Sequence, residues 1–103
     1  MQDYTDGGNV SVSDGTLKIT ARKENAGDRE YTSSRIVTRD NFSQTYGYFE
    51  ARIKLPSGSG MWPAFWMLGY NDKGWPYCGE IDILETWNSY QFAQGTIHWE
   101  NEK

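Results

Sequence analysis

The sequence predicts an all-β protein in which two antiparallel sheets pack together. Three observations support this: several runs alternate apolar and polar residues, turn residues separate these runs, and no segment of useful length has a helical apolar period. The chain has 103 residues, enough for one small domain. Its eleven glycines and 16% aromatic content fit a β protein with a large exposed aromatic surface.

The first predicted element is a hairpin whose strands cover 9–12 and 17–21. The turn between them contains an Asp-Gly pair, which between alternating segments is a strong hairpin signal. On the second strand the side chains predicted to face the core are Leu17, Ile19 and Ala21. The charged segment 23–30 is then predicted to be a surface loop, and 31–38, rich in β-branched residues, a strand.

The second half of the chain is predicted to hold four more strands. Segment 48–55 alternates most cleanly, and 61–69 is apolar on both faces, as expected for a strand between the core and a second surface. Because Pro63 lacks an amide donor, we expect the start of that strand to lie at an edge or a bulge. The last two predicted strands cover 79–86 and 91–99.

Three acids lie close together in the strand over 79–86. Successive side chains on a strand point to opposite faces, so Glu80 and Asp82 share one face and the neighbouring isoleucines fill the other. A regular strand would place Glu85 among the isoleucines, where an ionised carboxylate is costly. We therefore predict a β-bulge of one extra residue at 83–84, which returns Glu85 to the acidic face.

Like charges held this close cannot all be ionised near neutral pH, so at least one of the three carboxyl groups is predicted to retain a proton. An acid and a base of this kind are what glycoside hydrolysis requires: one group protonates the leaving oxygen and the other attacks or activates water. The alternative is a solvated acidic strand with no catalytic role.

Three tryptophans are predicted to gather near these acids. Trp62 and Trp66 are four residues apart on the predicted strand and hence on one face, and Trp75 precedes the acidic strand by five residues. Phe65 and Met67 take the opposite face, which would be core. An indole plate matches the flat C–H face of a pyranose ring, so this set favours a saccharide groove over ordinary core tryptophans.

The only histidine, His98, alternates with its apolar neighbour and is predicted to point into the groove as a hydrogen-bond donor. The alternative is a structural or surface histidine. The chain has no second histidine to suggest a metal site, and its single cysteine, Cys78, excludes an intrachain disulfide or a CxxC site. Cys78 is predicted to be a small buried residue rather than a nucleophile.

Composition and charge limit the partners. No run of 18 apolar residues exists that could span a membrane. A net charge of -4 argues against nucleic acid, so the expected partner is either neutral or not selected by its charge. The first four residues lack the basic and apolar regions of a signal peptide, which indicates either a cytosolic protein or one whose signal has been removed.

Three stretches together resemble glycoside hydrolase family 16: 46–54, 61–69 and 74–85. The last of these contains Gly-Glu-Ile-Asp-Ile-Leu-Glu. Its E-x-D-x-x-E spacing is similar to that of the laminarinases, which are endo-β-1,3-glucanases, whereas the lichenase-like branch has E-x-D-x-E. The likeness runs from about residue 4 to the C-terminus and is most specific over 46–99.

The resemblance implies a β-jelly roll whose concave sheet holds an open cleft for endo-cleavage. It also implies that Glu80 is the nucleophile, that Glu85 is the general acid/base, and that Asp82 hydrogen-bonds the nucleophile and helps set its protonation. The family's substrate-binding residues fall on Trp62, Trp66, Trp75, His98 and Arg35. No cofactor is required, although family members often hold a calcium ion on the convex face, partly through a carbonyl near Gly47, with the other ligands outside this chain. A secreted enzyme is implied by the polymeric substrate.

The family's domain is about twice as long as this chain. That length is typical of single-domain sandwiches, which have roughly 200 residues or more. We therefore expect residues 1–103 to be part of a family 16 catalytic domain, completed by further strands, by a complementary chain or by self-association, and inactive or nearly so alone. Two alternatives stay open. One is a non-catalytic β-glucan-binding module, and the other is a hydrolase of mixed-linkage β-1,3-1,4-glucan or of a galactan.

Overall fold

In the computed structural model the described residues are 2–100, the side chains of 89 and 90 excepted. This part of the chain is built of strands and contains no helix, and therefore no helix long and apolar enough to cross a membrane. The strands are β1 (Asp3–Tyr4), β2 (Val10–Ser13), β3 (Thr16–Ile19), β4 (Arg22–Ala26), β5 (Arg29–Ser33), β6 (Ala64–Leu68), β7 (Glu80–Trp87) and β8 (Ser89–His98). They fall into two compact units, one up to Thr38 and the other from Arg39 onward.

The first unit contains the predicted hairpin. Strands β2 and β3 pair antiparallel, and the turn residues Asp14 and Gly15 both have positive φ values, 52° and 68°. Two consecutive positive φ values define the type I′ turn, which matches the twist of the flanking strands. The hairpin prediction is therefore confirmed. A second sheet has the order β1-β5-β4, in which β1 runs parallel to β5 and β4 antiparallel to it.

The prediction of a surface loop over 23–30 is wrong, because β4 and β5 form a hairpin there. Ala26 lies opposite Arg29, and Gly27 in the turn has a φ of 57°. The charged residues of this segment occupy exposed strand positions, so their polarity indicated exposure and not the absence of a strand. The strand predicted over 31–38 ends at Ser33.

The interior of the first unit is polar. Asn9 and Thr32 are each only 2% exposed, and the Asn9 amide donates to the Thr20 carbonyl at 2.7 Å and to the Thr32 hydroxyl at 2.9 Å. By contrast, none of the hydrophobic side chains that the structure describes is buried. The prediction that Leu17, Ile19 and Ala21 face a core is therefore wrong, since all three are exposed.

The second unit contains an antiparallel sheet of order β6-β7-β8, which matches three of the four strands predicted there. Strand β6 is shorter than its predicted range and begins directly after Pro63, as the missing amide of proline predicts. Segment 48–55 forms no strand, so that prediction is wrong. Its alternation indicates which side chains would share a face, but a strand also needs a hydrogen-bonded neighbour, and the described residues supply none there.

Candidate active site

A β-bulge lies at the centre of β7. On the β6 side, Phe65 lies opposite Leu84 while the next residue, Trp66, lies opposite Asp82. Strand β7 thus advances by two residues where β6 advances by one, and Ile83 is the extra residue.

The register with β8 shows the same bulge. Asp82 lies opposite Thr96 and Glu85 opposite Gln94, so β7 advances by three residues where β8 advances by two. The predicted bulge is therefore confirmed from both neighbouring strands. Its consequence is that Glu80, Asp82 and Glu85 share one face of the sheet.

Each glutamate accepts a hydrogen bond from a tryptophan side chain. The Trp75 Nε1 donates to Glu80 Oε2 at 2.6 Å, and the Trp62 Nε1 donates to Glu85 Oε1 at 2.9 Å. Each of these bonds fixes the position of the carboxyl oxygen that accepts it. The two indoles were predicted as flat surfaces for sugar stacking, and the structure shows that they also orient the two glutamates.

The third acid, Asp82, is only 5% exposed. Its Oδ2 lies 3.0 Å from Nε2 of His98, which satisfies the requirement that a buried carboxyl group have a polar partner. His98 lies opposite Glu80 on β8, and its ring lies 5.6 Å from that of Trp75. The histidine is thus on the acidic face, and its polar contact is with the middle carboxylate.

Trp66 also lies on the acidic face, because it is paired directly with Asp82 across β6 and β7. Its side chain is half-buried there. Trp62 was predicted to lie on the strand over 61–69, but the observed strand β6 begins two residues after it. Its indole nevertheless reaches Glu85. Arg35 belongs to the first unit, where its guanidinium lies 5.8 Å from the centre of the Tyr4 ring. A cleft role for Arg35 stays a prediction.

Aromatic residues surround both ends of the acidic face. Beyond Glu80 is a shallow pocket of about 330 Å³ lined by Trp75, Pro76, Ile97, His98 and Trp99. At the Glu85 end, the Trp62 ring lies 5.7 Å from the Trp87 ring, which in turn lies 5.7 Å from the Phe92 ring. Flat apolar rings beside fixed carboxylates suit a neutral, ring-shaped ligand.

Sequence reasoning missed Trp87 and Trp99. The signal for Trp87 was available: once a bulge returns Glu85 to the acidic face, the residue two positions later must point the same way. Trp99 follows the end of β8, where alternation no longer applies, and its place in the pocket could not be read from the pattern.

Within 2–100, no group of three or more His, Cys, Asp or Glu side chains lies together in an arrangement able to hold an ion. A calcium ion held partly by a backbone carbonyl near Gly47, as the resemblance implies, stays a prediction. Cys78 is half-buried, whereas it was predicted to be buried.

The model of the XgeA-like catalytic GH16 domain family matches residues 3–103. The chain belongs to this family. A beta-glucanase of Rhodothermus marinus is 50% identical to it over 95 residues, and a glucan endo-1,3-beta-glucosidase of Cryptopygus antarcticus is 43% identical over 109 residues. These alignments cover 87% and 96% of this chain but only 33% and 40% of the two relatives.

A solved structure, the laminarinase from Rhodothermus marinus, superimposes on the chain with a TM-score of 0.85 and 46% sequence identity. The match covers 95% of this chain and 42% of that one. The predicted family and the predicted fold class, a jelly-roll β-sandwich, are therefore confirmed. The chain spans less than half the length of the relatives that it matches.

Proposed function

We propose that the protein containing this chain hydrolyses β-1,3-glucan internally, with retention of configuration at the anomeric carbon. The observation that carries the proposal is the bulge in β7, which sets Glu80 and Glu85 on one face where each accepts an indole hydrogen bond. The names of the relatives described above support the class of substrate and the endo mode of cleavage. The roles of the individual carboxyl groups are inferred from their chemistry and from the resemblance to family 16.

In the first step, a carboxylate oxygen of Glu80 attacks the anomeric carbon and the glycosidic carbon–oxygen bond breaks. Glu85 gives its proton to the departing oxygen, and the product is a glycosyl ester of Glu80. Retention requires the two carboxyl groups to lie roughly 5–5.5 Å apart, close enough for direct attack. Two carboxyl groups on one face of one strand are compatible with that requirement.

In the second step, water attacks the anomeric carbon and the ester bond to Glu80 breaks. Glu85, now ionised, takes a proton from the water and returns to its starting state. Asp82 and His98 lie beside the nucleophile, and their contact holds the middle carboxyl group in place. We assign these two residues to orienting Glu80 and the sugar bound to it.

The aromatic residues at both ends of the acidic face supply stacking surfaces for glucosyl units, with Trp66, Trp75 and Trp62 as the principal contacts. A net charge of -4 suits a neutral polymer better than a charged one. Because polymeric glucan lies outside cells, we further propose that the protein is secreted.

Product analysis of the complete protein that contains this chain, on laminarin, lichenan and agarose, tests the proposal. The expected result is a ladder of β-1,3-linked oligosaccharides from laminarin, with little product from agarose. Cleavage of lichenan at a comparable rate would favour the mixed-linkage alternative. Binding of laminarin without any product would favour a non-catalytic module, although the presence of all three acids argues against that reading.

A further inference from the structure

The turn after β7 holds the segment that leads to Trp62. The backbone N–H of Asn88 donates to the Met61 carbonyl at 2.9 Å, and the backbone carbonyl of Asn88 accepts from the Gly58 N–H at 2.8 Å. Its side-chain Oδ1 accepts from the Gly60 amide at 2.8 Å. One residue thus makes three hydrogen bonds with 58–61. Its φ of 59° lies in the left-handed region, which asparagine tolerates better than most residues.

Trp87, the last residue of β7, contacts Trp62. The two rings are 5.7 Å apart and inclined by 36°, and Phe92 packs on the far side of Trp87 at 5.7 Å and 27°. Trp62 itself is 62% exposed, so most of its surface has no protein contact. The orientation of its indole therefore depends on the few contacts that it does make.

We propose that Asn88 and Trp87 are positioning residues for Glu85, acting through Trp62. Asn88 fixes the backbone before Trp62, Trp87 fixes the plane of its ring, and the indole N–H then orients the Glu85 carboxyl group. This inference rests on the proposed function, in which Glu85 is the proton donor. Proton transfer requires good geometry, and a misplacement of about 1 Å can reduce a rate about 100-fold.

A comparison of two substrates isolates this role. A glucosyl leaving group needs a proton from Glu85, whereas a dinitrophenolate leaves without one. The ratio of kcat/KM for laminarin to kcat/KM for dinitrophenyl β-laminaribioside therefore reports the alignment of Glu85. A loss of folded protein lowers both values equally and leaves the ratio unchanged.

The first variant is Asn88→Gly, which tolerates the positive φ but lacks the oxygen that binds the Gly60 amide. We expect the ratio to fall about tenfold, as the loss of a hydrogen bond worth about 1.4 kcal/mol would predict. Asn88→Asp keeps an oxygen in that position and should return the ratio to within about twofold of the parent value.

A second pair of variants tests the ring contact independently. Trp87→Leu removes the aromatic plane that packs on Trp62, and we expect the ratio to fall. Trp87→Phe keeps an aromatic ring and should keep most of the ratio. If either variant of this turn unfolds, the other pair still gives the answer.

The matched control is Asn71→Gly, at the other end of β7. Asn71 Oδ1 accepts from the Lys73 amide at 2.9 Å and its Nδ2 donates to the Cys78 carbonyl at 3.4 Å, so the substitution removes side-chain hydrogen bonds of the same kind in the loop before β7, away from Glu85. Its ratio should equal that of the parent. An unchanged ratio in Asn88→Gly and Trp87→Leu proteins that circular dichroism shows to be folded overturns the inference. If the complete protein without substitutions cleaves neither substrate, the proposed function is refuted instead.

Discussion

The two ends of β7 hold their tryptophan donors in different ways. At the Glu80 end, Trp75 lies in the segment 69–79, which closes on itself. Its internal bonds run from the Gly69 amide to the Gly79 carbonyl, from the Gly79 amide to the Pro76 carbonyl, and from the Cys78 amide to the Gly74 carbonyl. At the Glu85 end, the segment 58–61 is held by Asn88, which belongs to the following hairpin turn.

The two glutamates therefore depend on different parts of the chain for their orientation. The donor of Glu80 is set by a loop between two strands that pair directly with each other. The donor of Glu85 is set by the turn between β7 and β8, so a substitution in that turn reaches Glu85 without touching Glu80. The following predictions test this separation.

The largest expected effect comes from removing the acids themselves. Glu80→Ala should abolish hydrolysis of both laminarin and dinitrophenyl β-laminaribioside, because every substrate needs the nucleophile. Glu85→Ala should lower kcat/KM for laminarin by about 10²–10⁴ while that for the dinitrophenyl substrate changes much less. Steady-state kinetics on both substrates checks this. Equal losses in Glu85→Ala would contradict its assignment as proton donor.

The next effect is on the loop at the Glu80 end. A Cβ at Gly69 would overlap the carbonyl oxygen of Cys78, so Gly69→Ala must push the two sides of the loop apart. We expect a loss of about 1–3 kcal/mol in the free energy of unfolding, measured by urea denaturation. Gly74→Ala is the control, because no atom lies within 4 Å of its Cβ position and no positive φ is recorded there. A larger loss for Gly74→Ala would argue against this account.

A smaller and more specific effect should follow from removing each indole N–H while keeping a ring. Trp75→Phe deletes the donor to Glu80 and should lower kcat/KM on both substrates about tenfold. Trp62→Phe deletes the donor to Glu85 and should lower only the value for laminarin, by about the same factor. The reverse pattern would mean that the roles of the two glutamates are exchanged.

The smallest effect is expected at Tyr70, in the loop at the Glu80 end. Its hydroxyl donates to Asp40 at 2.5 Å, and this hydrogen bond raises the pKa of Tyr70 above 10.0, with a lesser contribution from burial. A raised folded pKa means that the stabilisation is present below pH 10 and is lost as the pH rises through the folded value. Tyr70→Phe should therefore lower Tm slightly at pH 8. The difference from the parent should shrink in strongly alkaline buffer, which thermal unfolding at several pH values can check.

The sequence predicted the acidic face because one strong physical constraint applies there. An ionised glutamate among isoleucines is costly, so Glu85 had to return to the side of Glu80, and a bulge is the local change that does this. The position of His98 followed from simple alternation along β8. These predictions needed only the parity of residues along a strand.

Other features depend on what lies beside a residue in space, and the sequence pattern does not encode that. The indole hydrogen bonds depend on the paths of two loops, which have no repeating pattern. The β4–β5 hairpin was missed because charged residues on exposed strands have the composition of a loop. Asn88 was missed because its left-handed backbone and its bonds to 58–61 are invisible until the turn is folded.

The bulge also makes the spacing of the acids adjustable. Loss of Ile83 would leave Glu80, Asp82 and the final glutamate at alternate positions of a regular strand, still on the same side. The distance between the outer pair along the strand would change by no more than one residue step, about 3.3 Å, and the neighbouring strands could keep their pairing. A one-residue deletion at this point is thus a route by which evolution could retune the reach between the two glutamates without rebuilding the sheet around them.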